Sequence, residues 1–297
     1  MSHADSASAI RALLAGAIDY AGLFPPAALG MSEAVKNFAA YRRGEHAWAL
    51  GRFIVTAAKL GEFSTALAAH RDGSVWIISA LAGNDLAADL AAIQSFNEKH
   101  AGAAVVDTLE LKAGTTNAIA DAGRQIAGRY EAFYEIPFGA NVRELLDAIV
   151  RVEGRAKIRT GGVTADAFPS PEVLATFLEQ CVGAQLAFKA TAGLHHPVRA
   201  AYRLTYEPNS PSATMHGFLN VFFASAFAHA GWPAARLAEV LSETAPDAFQ
   251  FEPGSASWRG HRLAQENLQQ AHTNFSLSFG SCSFEEPIAD LQKLGWL

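Results

Sequence analysis

Strand-like and helix-like runs alternate eight times along the chain, which predicts an α/β fold, a (β/α)8 TIM barrel with a helical insertion between strands seven and eight. The 297 residues suit one such barrel, and a 50% hydrophobic content supplies a large core and excludes disorder as the dominant state. No Gly-x-Gly-x-x-Gly turn follows the first strand-like run, which disfavours an open, dinucleotide-binding sheet.

The first unit pairs a strand at 17–21 with a helix at 32–42. The next two pair 54–57 with 62–70, then 75–81 with an amphipathic stretch at 86–99. The middle units pair 105–111 with 117–128, 132–138 with 142–152, and 156–160 with 171–182. Strand seven spans 186–191, and strand eight at 275–279 leads into a last helix at 286–294. The gap of about 80 residues between strands seven and eight far exceeds one barrel connection. It holds a loop with Pro208 and Pro211 and helical stretches at 215–230, 234–241 and 262–270. The expectation is a single domain over 1–297 with a helical insertion at 197–273 that extends the core, closes as a lid or forms a dimer contact.

With 23 Lys and Arg against 29 Asp and Glu, the net charge is −6, which argues against nucleic acid or an anionic membrane as partner. Cys181 and Cys282 are too few for a disulfide framework and read as buried thiols in a reducing compartment. Residues 1–8 lack the basic and apolar regions of a signal peptide, and 218–230 is too short and too polar to span a bilayer. A cytoplasmic location is expected, and homo-oligomerisation is left open.

Side chains of a barrel strand alternate between the interior and the helix layer, and functional groups gather at the C-terminal strand ends. Leu109 and Leu111 face the helices, so Glu110 and Lys112 face the interior, and Asp107 turns outward. By the same alternation Glu135, Lys157, Arg159, Lys189, Thr191 and Gly193 point inward. Buried charges persist when paired or when function needs them. Two close lysines lower each other's pKa by repulsion and desolvation, and a neutral amine attacks a carbonyl to form a Schiff base. Glu110 or Glu135 would shuttle the protons.

Three motifs carry a family resemblance. Lys157-Ile-Arg-Thr160-Gly-Gly162, Lys189-Ala-Thr-Ala-Gly193 and Phe279-Gly-Ser-Cys-Ser283 are similar, in order, to motifs of strands six, seven and eight in deoxyribose-phosphate aldolases of the class I aldolase superfamily. Ile18-Asp-Tyr-Ala-Gly-Leu-Phe-Pro25 resembles the opening motif of that family. The resemblance implies Lys157 as the Schiff-base lysine and Lys189 as the neighbour that lowers its pKa, with no cofactor. Arg159 departs from the family, which has a small residue there, and His195 and His196 replace the residues after its glycines.

The resulting expectation is an aldolase-type lyase acting on a small anionic carbonyl metabolite. Its anion is either a phosphate at the ends of strands seven and eight or a carboxylate held by Arg159. The phosphate site would use Gly193, Gly280 and Ser281 or Ser283, with Lys112, Thr160, Thr191, His195 and His196 as further binding residues. Two alternatives stand beside it: a metal-dependent hydrolase or lyase using His195, His196, His216, Glu110 and Glu135, and a barrel that binds anions without catalysis. Adjacent histidines on a strand point apart, so no metal ligand is assigned.

Overall fold

The computed structural model describes residues 3–139 and 141–297. Eight parallel strands close a TIM barrel: β1 (Ile18–Tyr20), β2 (Leu50–Thr56), β3 (Trp76–Leu81), β4 (Ala104–Lys112), β5 (Glu131–Glu135), β6 (Arg155–Arg159), β7 (Phe188–Thr191) and a final strand, Ser276–Ser281, next to β7 and β1. Around them lie α1 (His3–Leu14), α2 (Met31–Tyr41), α3 (Leu60–Leu67), α4 (Leu86–Lys99), α5 (Thr116–Ile126), α6 (Val142–Arg151) and α7 (Pro171–Gly183). Local chemistry marks several helix starts. Asp85, Thr115 and Ser170 each accept a backbone N–H three residues on, and Pro171 opens α7 where a missing N–H costs nothing. α1 precedes the first barrel strand and lies outside the eight expected βα units.

The segment between β7 and the last barrel strand contains the expected helices and, in addition, five short strands. β8 (Ala200–Arg203) and β9 (Ser212–Met215) form a hairpin. α8 (Phe218–His229) and α9 (Ala234–Ser242) follow, then β10 (Phe249–Glu252), β11 (Ser255–Trp258) and β12 (His261–Ala264), which make an antiparallel sheet. α10 (Gln265–Asn274) leads into β13 (Ser276–Ser281), the last barrel strand, and α11 (Glu285–Lys293) ends the fold. The helix expected at 262–270 therefore starts later, because His261–Ala264 pairs with β11.

The 11 residues Phe218–Ala228 of α8 are all buried, so this helix is part of the barrel's own covering layer. Phe218 stacks on Phe279 of β13 with ring centroids 5.1 Å apart, and Phe222 meets the same ring edge-on at 5.7 Å. Among the described residues, no helix is long and apolar enough to cross a membrane.

The barrel interior is layered. At its N-terminal end Arg52 of β2 holds Asp107 of β4 at 2.8 Å and Glu131 of β5 at 3.3 Å. Asp107 thus does not face the helices as alternation predicts. The register of β3 against β4 slips between Ile78 and Ser79, opposite Val106 and Thr108, and this bulge re-aims Asp107. Above this layer the ring of Phe133 lies 5.5 Å below the Lys189 ammonium.

Phe279→Ala would remove the ring that joins α8 to the barrel. Urea denaturation should show a loss of about 3–5 kcal/mol with an unchanged slope.

Candidate active site

The barrel's hydrogen-bonded register aligns Lys112 with Glu135, Glu135 with Lys157, and Lys157 with Lys189. Barrel strands tilt, so such a row winds from the rim into the interior. Lys112 is exposed at the rim, while Lys157 and Lys189 are only 4% and 1% exposed.

Carboxylates neutralise this row. Lys189 Nζ donates to Asp19 Oδ2 at 2.7 Å and to Glu110 Oε1 at 2.6 Å. Lys157 Nζ lies 2.8 Å from Glu110 Oε2 and 2.9 Å from Glu135 Oε2. Glu110 therefore bridges both lysines, and Ser79 Oγ donates to it at 2.6 Å. Asp19 accepts from Ser278 Oγ at 2.8 Å and from the Arg52 backbone N–H at 2.7 Å. Arg159 reaches Glu135 Oε1 only loosely, at 3.9 Å.

Burial alone would raise the Glu110 carboxyl, but Lys157 and Lys189 outweigh it and hold the group well below the usual carboxylate range. Burial would likewise favour neutral Lys189, but Asp19 and Glu110 overcome it and hold the ammonium above its ordinary value. For Lys189 this reverses the expected lowering by a neighbouring ammonium.

A cavity of about 330 Å³ opens above the network. Glu110, Glu135, Lys157, Arg159, Lys112, Thr191, Gly193, His195 and Gly280 line it, with Phe24 and Pro25 among the opposing groups. Lys189 lies beneath and is not part of the lining.

Several residues assigned from sequence serve other roles. Thr160 Oγ1 donates to the carbonyl of Ala192 at 2.7 Å and ties the ends of β6 and β7 together. His196 turns away from the cavity, stacks on Tyr202 and meets Asp290 Oδ2 at 2.6 Å. Ser283 Oγ accepts the Glu286 N–H at 3.1 Å at the start of α11. Ser281 is buried behind the wall, with Oγ 3.4 Å from His195 Nδ1. Gly193 has φ of +75°, and a Cβ there would come 2.7 Å from Phe168 Cε1, so its missing side chain admits the Phe168 ring as well as the turn. His216 bonds the Pro169 carbonyl at 2.8 Å, away from Glu110 and Glu135.

Asp19 was missed. Its strand has three residues, too few for alternation to register, although an Asp between Ile18 and Tyr20 in an apolar run was the available signal. Among the described residues no three His, Cys, Asp or Glu side chains form a group suited to a metal ion. No protein-family model matches the chain, and no curated protein matches it.

Glu110→Gln should cost about 3–5 kcal/mol, because it leaves two buried ammonium groups short of a counter-charge. A carboxyl lowered on folding stabilises fully above its ordinary value of 4.5 and loses that contribution as pH falls toward its folded value. The parent should therefore lose more stability than the variant between about pH 5 and pH 3, as read by urea midpoints.

Proposed function

We propose that the chain is a Schiff-base-forming lyase of the aldolase type, acting on a small anionic carbonyl compound. One observation carries this reading: Lys157 is the buried amine that borders the cavity, and it has a carboxylate on either side.

Glu135 touches both Lys157 and the cavity, so it is the group that takes a proton from the ammonium and leaves a nucleophilic amine. The nitrogen lone pair forms the C–N bond to the substrate carbonyl carbon. Two of the original ammonium protons leave with the carbonyl oxygen as water, one of them by way of Glu135, and the iminium keeps the third. In the cleavage direction a base removes the proton of the hydroxyl on the β-carbon. The bond between the α- and β-carbons then breaks, its electron pair enters the iminium to give an enamine, and an aldehyde departs. Protonation of the enamine carbon and addition of water release the second product and restore Lys157.

Glu110 has a different task. Lys157, Lys189 and Ser79 all contact it, so it remains an anion facing the iminium and stabilises its charge. Lys189 offsets that anion from below and preserves the position of Glu110 when Lys157 moves onto substrate.

A barrel that only binds anions would use the same cations without covalent chemistry. Borohydride reduction separates the two readings. Incubation with a small aldehyde or ketone should add one reduced adduct at Lys157 by peptide mass mapping. Lys157→Ala should abolish it, whereas Lys189→Met should leave the label at Lys157. No adduct with any carbonyl compound would favour the binding barrel. Complete chelator inhibition reversed by a divalent ion would favour the metal-dependent alternative.

A further inference from the structure

On the basis of that Schiff-base reading, we infer that the substrate is a 2-oxo acid whose carboxylate, directly attached to the reacting carbonyl, is held by Arg159. Lys157 and Arg159 lie two residues apart on β6 and reach the two oxygens of one carboxylate. Glu135 Oε2 is 2.9 Å from Lys157 Nζ, and Glu135 Oε1 is 3.9 Å from Arg159 Nη1. The amine and the guanidinium are thus one carboxylate apart. When Lys157 bonds the carbonyl carbon of a 2-oxo acid, the neighbouring carboxylate falls within reach of Arg159. A terminal phosphate on a sugar chain sits several bonds from the carbonyl and would point to a different wall.

Arg159 has donors to offer. Its side chain is 51% exposed. Besides the loose Glu135 contact, its hydrogen bond among the described residues is a long one, 3.5 Å from Nη2 to the Gly161 carbonyl. A planar guanidinium facing a cavity with unspent N–H groups suits a carboxylate in two-point fashion. Lys112 borders the same side and adds a second positive charge.

The wall where a phosphate would lie, at the ends of β7 and β13, borders the cavity through Thr191, Gly193, His195 and Gly280 and places neither a lysine nor an arginine there. The Phe168 ring packs where Gly161 and Gly193 would otherwise present open backbone, since a Cβ on either would run into it. Ser283 is engaged with the Glu286 N–H, and a Glu286 oxygen stands 3.8 Å from His195 Nδ1. Burial and neighbouring His196 lower His195 to about 4, so near neutral pH it brings no positive charge to that wall.

The test compares pyruvate, acetone and dihydroxyacetone phosphate in borohydride labelling of Lys157. Acetone keeps pyruvate's reactive carbonyl and lacks its carboxylate. Pyruvate should half-saturate labelling at a concentration roughly tenfold to a hundredfold below acetone's. Arg159→Gln, a change at a half-exposed residue, should shrink that advantage to about threefold or less. Calorimetric binding of oxamate, which has the carboxylate but an amide in place of the ketone, reads the Arg159 site without imine formation. If Lys157 labels as readily with acetone or dihydroxyacetone phosphate as with pyruvate, or if Arg159→Gln keeps the preference, the 2-oxo acid assignment is wrong and the Schiff-base reading stands. If oxamate binds through Arg159 while no carbonyl compound labels Lys157, carboxylate recognition stands and the Schiff-base reading falls. If oxamate does not bind and nothing labels, both are overturned.

Discussion

Lys189 sits at the centre of the barrel with its ammonium between Asp19 and Glu110, and the rest of the interior is arranged around keeping that charge solvated by protein. An ammonium 1% exposed cannot stay ionised without such partners, because the transfer from water costs several kcal/mol even after relaxation. Asp19 comes from β1, Glu110 from β4 and Lys189 from β7, so the triad joins three strands that are not neighbours in the barrel. Removing one member would strand the others. Within the network three cations, Lys157, Lys189 and Arg159, face three carboxylates, Asp19, Glu110 and Glu135. That balance lets an acidic protein bring two lysines into direct register on adjacent strands.

The two ends of the barrel use charge differently. At the N-terminal end Arg52, Asp107 and Glu131 are paired across strands, with Arg155 3.6 Å from Glu131, and this set closes the barrel's foot. At the C-terminal end the same residue types border a cavity, and one amine of the set, that of Lys157, opens onto it. Both layers are ion networks at comparable contact distances. Access distinguishes the upper network chemically: it meets a space the size of a small metabolite.

The fold was legible because βα alternation repeats and each strand end is marked by polarity. Glu110, Lys157 and Lys189 were legible for the same reason, as single charges in runs such as Ala156-Lys157-Ile158. Alternation failed where its premise failed. Asp107 follows a bulge, and Asp19 lies on a strand of three residues. His196, Ser281 and Ser283 lie at or beyond strand ends, where side-chain direction is set by local turns such as Ala192 and Gly193, both at positive φ. The five strands of the segment after β7 have four residues each, too short to show a period against the helical pattern around them. Pairing partners far along the chain, such as Glu110 for Lys189, come from barrel closure and leave no local trace.

That additional segment also shapes the approach to the site. Tyr206, from the loop between β8 and β9, hydrogen-bonds Glu286 Oε2 at 3.2 Å and lies 3.6 Å from Cys282 Sγ, which borders the cavity. Tyr202 of β8 covers His196. The hairpin thereby packs over the β7–β13 side and leaves the β4–β6 side, with Lys112 and Arg159, as the exposed edge. An anion meets net repulsion from a protein of charge −6 at long range, yet salt screens that field within about 8 Å at physiological ionic strength. Inside that distance the local cations dominate. On the proposed reading, the hairpin cover and the pair of basic side chains would direct an anionic ligand to the edge nearest Lys157.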